Sequence, residues 1–196
     1  MAGLKEAMMK VNWARVYQAY FYNMVIRGLT GFARNAIGVE AGFNAVARII
    51  ESGSMRCFDV LREELAKAGL GLPEKVDLEQ VLGYEVKCHG YSVEAMGVSF
   101  QVWEKYRREG DKHMLETERC IYLEEARRNP LVCAVCVGLT SGILKKFGFR
   151  VQFLRHPSSA KRLCLVEEAR RPEYIVYRDP EVGLPACRLV VEKLKC

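Results

Sequence analysis

The stretch Asn129-Pro130-Leu131-Val132-Cys133-Ala134-Val135-Cys136-Val137-Gly138-Leu139-Thr140-Ser141-Gly142-Ile143-Leu144-Lys145-Lys146 decides the fold. Asn is a good helix cap, and Pro suits the first helical position because it has no N–H to leave unpaired. From Leu131 to Lys146 the side chains are apolar nearly all round, so the spacing predicts a helix covered on most sides. Lys145 and Lys146 complement the negative end of its dipole, and Gly148 can terminate it. The nearly polar-free part, Leu131 to Leu144, is 14 residues long. A membrane-spanning helix needs about 20 apolar residues, so this one is expected in a protein core.

Working outward, the N-terminal half has helical periodicity. Trp13, Val16, Tyr17, Tyr20, Phe21, Met24 and Val25 recur at three- and four-residue steps, with Gly28 and Gly31 loosening or ending that helix. Further helices are expected over Val39 to Ser52, with Gly53 as a stop, and over Met55 to Ala68, with Gly69 as cap. The period then changes to two: Tyr84, Val86 and Cys88 alternate with charged residues before a His89-Gly90 turn, and Met96, Val98, Phe100 and Val102 alternate next. Arg108 to Asp111 reads as a turn and His113 to Ile121 as the return strand. After the central helix, Phe149 to Leu154 and Arg162 to Val166 read as a hairpin, followed by strands at Tyr174 to Tyr177 and Arg188 to Leu194. The order implies an α/β (α+β) chain: N-terminal helices packed on a twisted antiparallel sheet around one central buried helix. It is read as a single domain over 1–196, with a frayed start at 1–11 and a C-terminal extension at 169–196.

Half of the 196 residues are hydrophobic and 28% are charged, which excludes a disordered chain. The net charge of +6 is uneven: residues 1–143 carry 18 basic and 18 acidic side chains, and residues 144–196 carry 12 and 6. No recognition helix, zinc-finger spacing or aromatic-basic motif accompanies the surplus, which argues against a nucleic-acid partner. With no charged-then-apolar leader, a cytoplasmic location is expected.

Eight cysteines are many for such a chain. Cys133 and Cys136 share a helix face. Cys120 upstream and Cys164 on the expected hairpin could bring four sulfurs together, as tetrahedral zinc or an iron–sulfur cluster would need. His156 could replace one ligand. A buried disulfide and plain apolar packing explain the same residues. Cys133 also lies near the positive end of the helix, where a thiol pKa is lowered. A thiol- or metal-dependent enzyme built on Cys120, Cys133, Cys136 and Cys164 is therefore an alternative. No general base is identifiable beside them, and no catalytic residue is assigned. His89 and His113 are expected at solvent-exposed turns or strand ends, and Glu116 and Glu118 as exposed strand charge.

The strand ending in Cys120, the Cys-rich first turn of the central helix, the Gly138-x3-Gly142 pair and the element bearing Cys164 together resemble the 4-vinyl reductase (hydrocarbon-binding) domain family. That family is related in fold to the small subunits of vesicle-tethering trafficking complexes. The likeness covers about Glu118 to Glu168 and departs from the family where Ile121 follows Cys120 and His156 occupies the loop. It implies helices against a twisted antiparallel sheet, a homodimer, and a non-catalytic module for a small apolar or lipid-like molecule. A helix bearing Ala134, Gly138 and Gly142 leaves space beside its backbone, with Phe100, Tyr20 and Met24 as neighbours for an apolar ligand. The same small residues could instead let two elements approach closely.

Overall fold

In the computed structural model, which describes residues 9–73, 75–96 and 103–196, the central segment is a helix as expected. It spans Val132–Lys146 and is α5 in chain order. Asn129 opens it: its Oδ1 accepts from the Leu131 backbone N–H at 3.1 Å, and its Nδ2 donates to Thr30 Oγ1 at 3.0 Å. The glycine and cysteine signals before it are read differently by the fold. Helix α1, Trp13–Phe21, is capped by Asn12, whose side chain accepts from Arg15 N at 3.1 Å. It then runs through a π-helical stretch, Tyr22–Leu29, straight into α2, Thr30–Lys67. Neither Gly28 nor Gly31 ends a helix, and Gly53 lies within α2. The break falls at Gly38, whose φ of 76° only glycine adopts freely, and the stop at Gly69, with φ of 75°. Among the described residues, no helix is long and apolar enough to cross a membrane.

The segment expected as a first strand is helix α3, Leu78–Met96. Its buried residues are Leu78, Val81, Leu82 and Glu85, at the three- and four-residue steps of a helix face. The alternation of Tyr84, Val86 and Cys88 is incidental, and the charged residue between them is the one that faces inward. Of the second alternating run, Met96 to Val102, Met96 is the last residue of α3, and residues 97–102, Phe100 among them, lie outside the described residues. Strands β1, Lys105–Glu109, and β2, Lys112–Thr117, form the expected hairpin, turned at Gly110 with φ of 58°. Helix α4, Leu123–Arg128, leads into α5.

After α5, β3 is only Val151–Phe153, and its partner is not residues 162–166. Those residues form a 3-10 helix, Pro157–Leu165, followed by another, Glu168–Arg170. They carry the chain to β4, Tyr174–Arg178, which pairs with β3 in parallel. A parallel pair needs a crossover of about a dozen residues or more, and the 3-10 segment supplies it. The expected hairpin is thus a crossover, and the sheet is mixed where an all-antiparallel one was expected. Strand β5, Cys187–Lys193, pairs antiparallel with both β2 and β4. The order among the described residues is β1-β2-β5-β4-β3, so the last strand of the chain is the middle of the sheet.

The fold is α+β, in layers. Helix α5 lies between α2 and one sheet face, where Val137, Leu144, Phe153, Val176, Leu189 and Val191 are all almost fully buried. Met114, Ile175, Tyr177 and Val190 face the other way, under Leu154, Ala160 and Leu163 near or within the crossover. Alternation along β5 explains both faces, since successive strand side chains point to opposite sides.

Candidate functional site: an apolar cavity beside a thiol cluster

The flank of α5 that meets α2 is closed. A Cβ built on Gly138 would stand 2.5 Å from the Ala47 carbonyl oxygen, and one on Gly142 would stand 2.6 Å from that of Glu51. These glycines therefore allow a close helix–helix approach, and the room expected beside Gly138 and Gly142 is filled by α2. Polar groups lock the same seam. Glu51 accepts from Ser141 Oγ at 2.6 Å, Lys145 Nζ at 2.7 Å and Arg48 at 2.8 Å. Burial raises its pKa, but these three donors together outweigh that and hold the carboxyl below its ordinary range.

About 100° round α5, one residue on, the packing opens. A cavity of about 320 Å³ lies between Ile49 and Ile50 of α2 and Val135 and Leu139 of α5. Trp103, just before β1, Tyr122, just before α4, and Phe21 at the end of α1 complete the apolar wall. Ser54, Gly53, Cys57 and Cys136 also border it, and the Ser54 hydroxyl is occupied by the Leu139 carbonyl at 3.0 Å. None of the described residues expected to bind a ligand lines this space. Ala134 is buried elsewhere on α5, Tyr20 and Met24 are 62% and 52% exposed, and Phe100 is outside the described residues. Val135 and Leu139, neighbours of the residues singled out from sequence, are the ones that face it.

Behind Cys136 is a tight crevice where Cys120, Cys133 and Cys136 meet Cys187 and Arg178. Three of the four expected sulfurs thus come together. Cys164 does not join them: it is disulfide-bonded to Cys196, with Cα atoms 5.5 Å apart. Among the described residues no group of three or more His, Cys, Asp or Glu side chains is placed to hold a metal ion. The crevice also disfavours thiolates. Burial pushes the Cys133 thiol up to about 12 and raises those of Cys120, Cys136 and Cys187 as well. At Cys133 burial is the largest influence, with Cys187 and Cys120 adding to it and Arg178 opposing, and the thiol is raised where the sequence pointed to a lowered one. Cys187 was missed because only the pairing of β5 with β2 and β4 brings it close.

A second buried carboxyl stands near the cavity. Glu85 of α3 accepts from Thr140 Oγ1 at 2.7 Å through Oε1, while its Oε2 has no hydrogen-bond partner among the described residues. Burial pushes its pKa up to about 7, against smaller opposing effects of Thr140 and Trp103. His113 is also buried, contrary to expectation, with its Nδ1 2.7 Å from the Tyr106 hydroxyl. Glu118 is exposed as expected and pairs with Lys105, but it lies just past the end of β2, and Glu116, expected to be exposed, is largely buried in a pair with Arg188.

The sequence model of the family described as methanogen output domain 1 matches residues 59–161. The chain belongs to the methanogen output domain 1 family. The matched stretch runs from the last quarter of α2 through α5 and β3 into the 3-10 crossover. For a member of the methanogen output domain 1 family, it therefore includes Glu85, Trp103, Tyr122, Val135 and Leu139, and three thiols of the crevice. No curated protein is significantly similar to the chain in sequence.

Proposed function

We propose that the protein is a non-catalytic module that binds a small apolar molecule between α2 and α5, in the manner of the 4-vinyl reductase (hydrocarbon-binding) domains its Cys120–Cys164 segment resembles. The observation that carries this reading is the cavity of about 320 Å³ with almost wholly apolar walls. Natively folded interiors are packed to crystal density, and space of this size is what small-molecule sites present. A cavity near 150 Å³ lined by apolar side chains accepts benzene, so this one has room for about a dozen non-hydrogen atoms. The raised thiols, held as neutral groups, suit a binding module better than a thiol- or metal-dependent enzyme. The word "output" in the family's description fits a domain whose ligand state is passed on. Six free cysteines suit the reducing cytoplasm, where we place the protein.

Naphthalene is a suitable probe. The wild-type protein should bind it with micromolar affinity, read by fluorescence or calorimetry, and Leu139→Trp, which puts a large ring into the cavity, should weaken binding at least about tenfold. A folded wild-type protein with no measurable naphthalene binding would end this reading. The same reading includes a homodimer, for which exposed Val16, Tyr20, Met24 and Phe32 offer apolar surface. Light scattering should then give twice the chain mass, and a monomer at all concentrations would remove the dimer from it.

A further inference from the structure

We propose that Glu85 is the polar anchor of the cavity, receiving the hydrogen-bond-donating end of a ligand whose apolar body lies between α2 and α5. This inference rests on the ligand-binding reading above and names the chemical class of the ligand: an alcohol or primary amine on an apolar body.

The cavity wall itself offers little for a polar group to hold. Of its two hydroxyl-bearing residues, Ser54 and Tyr122, Ser54 is already engaged with the Leu139 carbonyl. Glu85 stands one layer back, against Trp103 and close to Cys136, both of which border the cavity. Its hydrogen-bonded neighbour Thr140 follows Leu139, another wall residue. The carboxyl is 3% exposed, Oε1 is satisfied by Thr140, and Oε2 has no hydrogen-bond partner among the described residues.

A buried carboxyl oxygen without a donor is costly, and native interiors rarely leave one unless water, an ion or a function accounts for it. Glu51 shows what a purely structural carboxyl looks like in this protein, with three donors on two oxygens. Glu85 has the same burial with fewer donors: Thr140 on Oε1, the Trp103 side chain beside the carboxyl, and no well-aligned donor on Oε2. Above a pKa of about 7 Glu85 is a carboxylate that only accepts, so at pH 8 a ligand hydroxyl or ammonium completes it and a ligand carboxylate is disfavoured by like charge. The donor end would enter between Trp103 and Cys136.

The test compares three probes of one shape: naphthalene, naphthylmethanol and naphthylmethylamine. Their affinities are measured for the full chain and for Glu85→Met and Glu85→Gln. In the wild type at least one donor-bearing probe should bind about tenfold or more tightly than naphthalene. In Glu85→Met that advantage should vanish while naphthalene affinity stays within about twofold. Circular dichroism checks folding. If Glu85→Met does not fold, Glu85→Gln carries the same comparison for the amine, because it lacks the charge. Preference for the amine alone identifies a cationic head, and preference for both identifies any donor. Equal affinities in the wild type, or an advantage that survives in the variants, would overturn the inference while leaving naphthalene binding intact. Failure of all three probes to bind the wild type would remove the ligand-binding reading together with it.

Discussion

Along one flank of α5, Gly138 and Gly142 lie against the α2 backbone and a fully donated carboxylate; along the other, Val135 and Leu139 face open space with an underdonated carboxyl behind it. Both flanks meet the same partner helix. On the closed side, glycine removes the side chain that would hold α2 away. On the open side, full-sized side chains prop the helices apart, and Gly53 of α2 adds to the gap. Gly138 and Gly142 therefore seal α5 against α2, whereas Gly53, with nothing within 4 Å of its Cβ position, leaves room.

The strongest way to break this comparison is to substitute glycine by alanine on each side. Gly138→Ala places a Cβ within 2.5 Å of a backbone oxygen that cannot rotate away. It should cost about 3 kcal/mol or more in urea unfolding. Gly53→Ala meets nothing within 4 Å and sits in regular helix, so it should stabilise by about 0.5–1 kcal/mol through propensity alone. Equal effects would mean that the two flanks do not differ as described.

The two carboxyls sharpen it by pH. The Glu85 pKa is raised in the folded protein, to about 7 from its ordinary 4.5, so folding takes up protons between those values. Stability from this group is greatest at low pH and declines as pH rises through that window, by about 3 kcal/mol in all. Glu85→Gln should erase that decline in pH-dependent unfolding. Glu51 has the opposite sign, because its folded pKa is lowered. Its contribution is complete above the ordinary carboxylate range and fades as pH falls through its folded pKa. Glu51→Gln should cost about 2 kcal/mol at neutral pH and less in acid, since charged hydrogen bonds are lost. Parallel pH profiles for the two variants would contradict the assignment of their roles.

How much of this was legible in the sequence follows from how local each cause is. Helix α5 was readable because its signals, Asn129-Pro130 before it and Lys145, Lys146 and Gly148 at its end, act within a few residues. The β1–β2 hairpin was readable for the same reason, through Gly110. Helix α3 was misread because Glu85, a charged residue, belongs to its buried face and inverted the apparent pattern. The crossover after β3 was misread because parallel pairing with β4 is a long-range event that leaves no turn signal. At the site, the presence of small residues at 138 and 142 was plain, but whether they make space or remove it depends on where α2 lies. Cys187 and the disulfide of Cys164 with Cys196 depend on β5 taking the middle of the sheet, which no spacing announces.

The most direct measurement is a crystal structure of the protein soaked with naphthalene. The account predicts ring density bounded by Ile50, Trp103, Val135 and Leu139, with Gly138 and Gly142 still closed on α2. Side chains of the protein's own filling that space, with no ring density there, would contradict it.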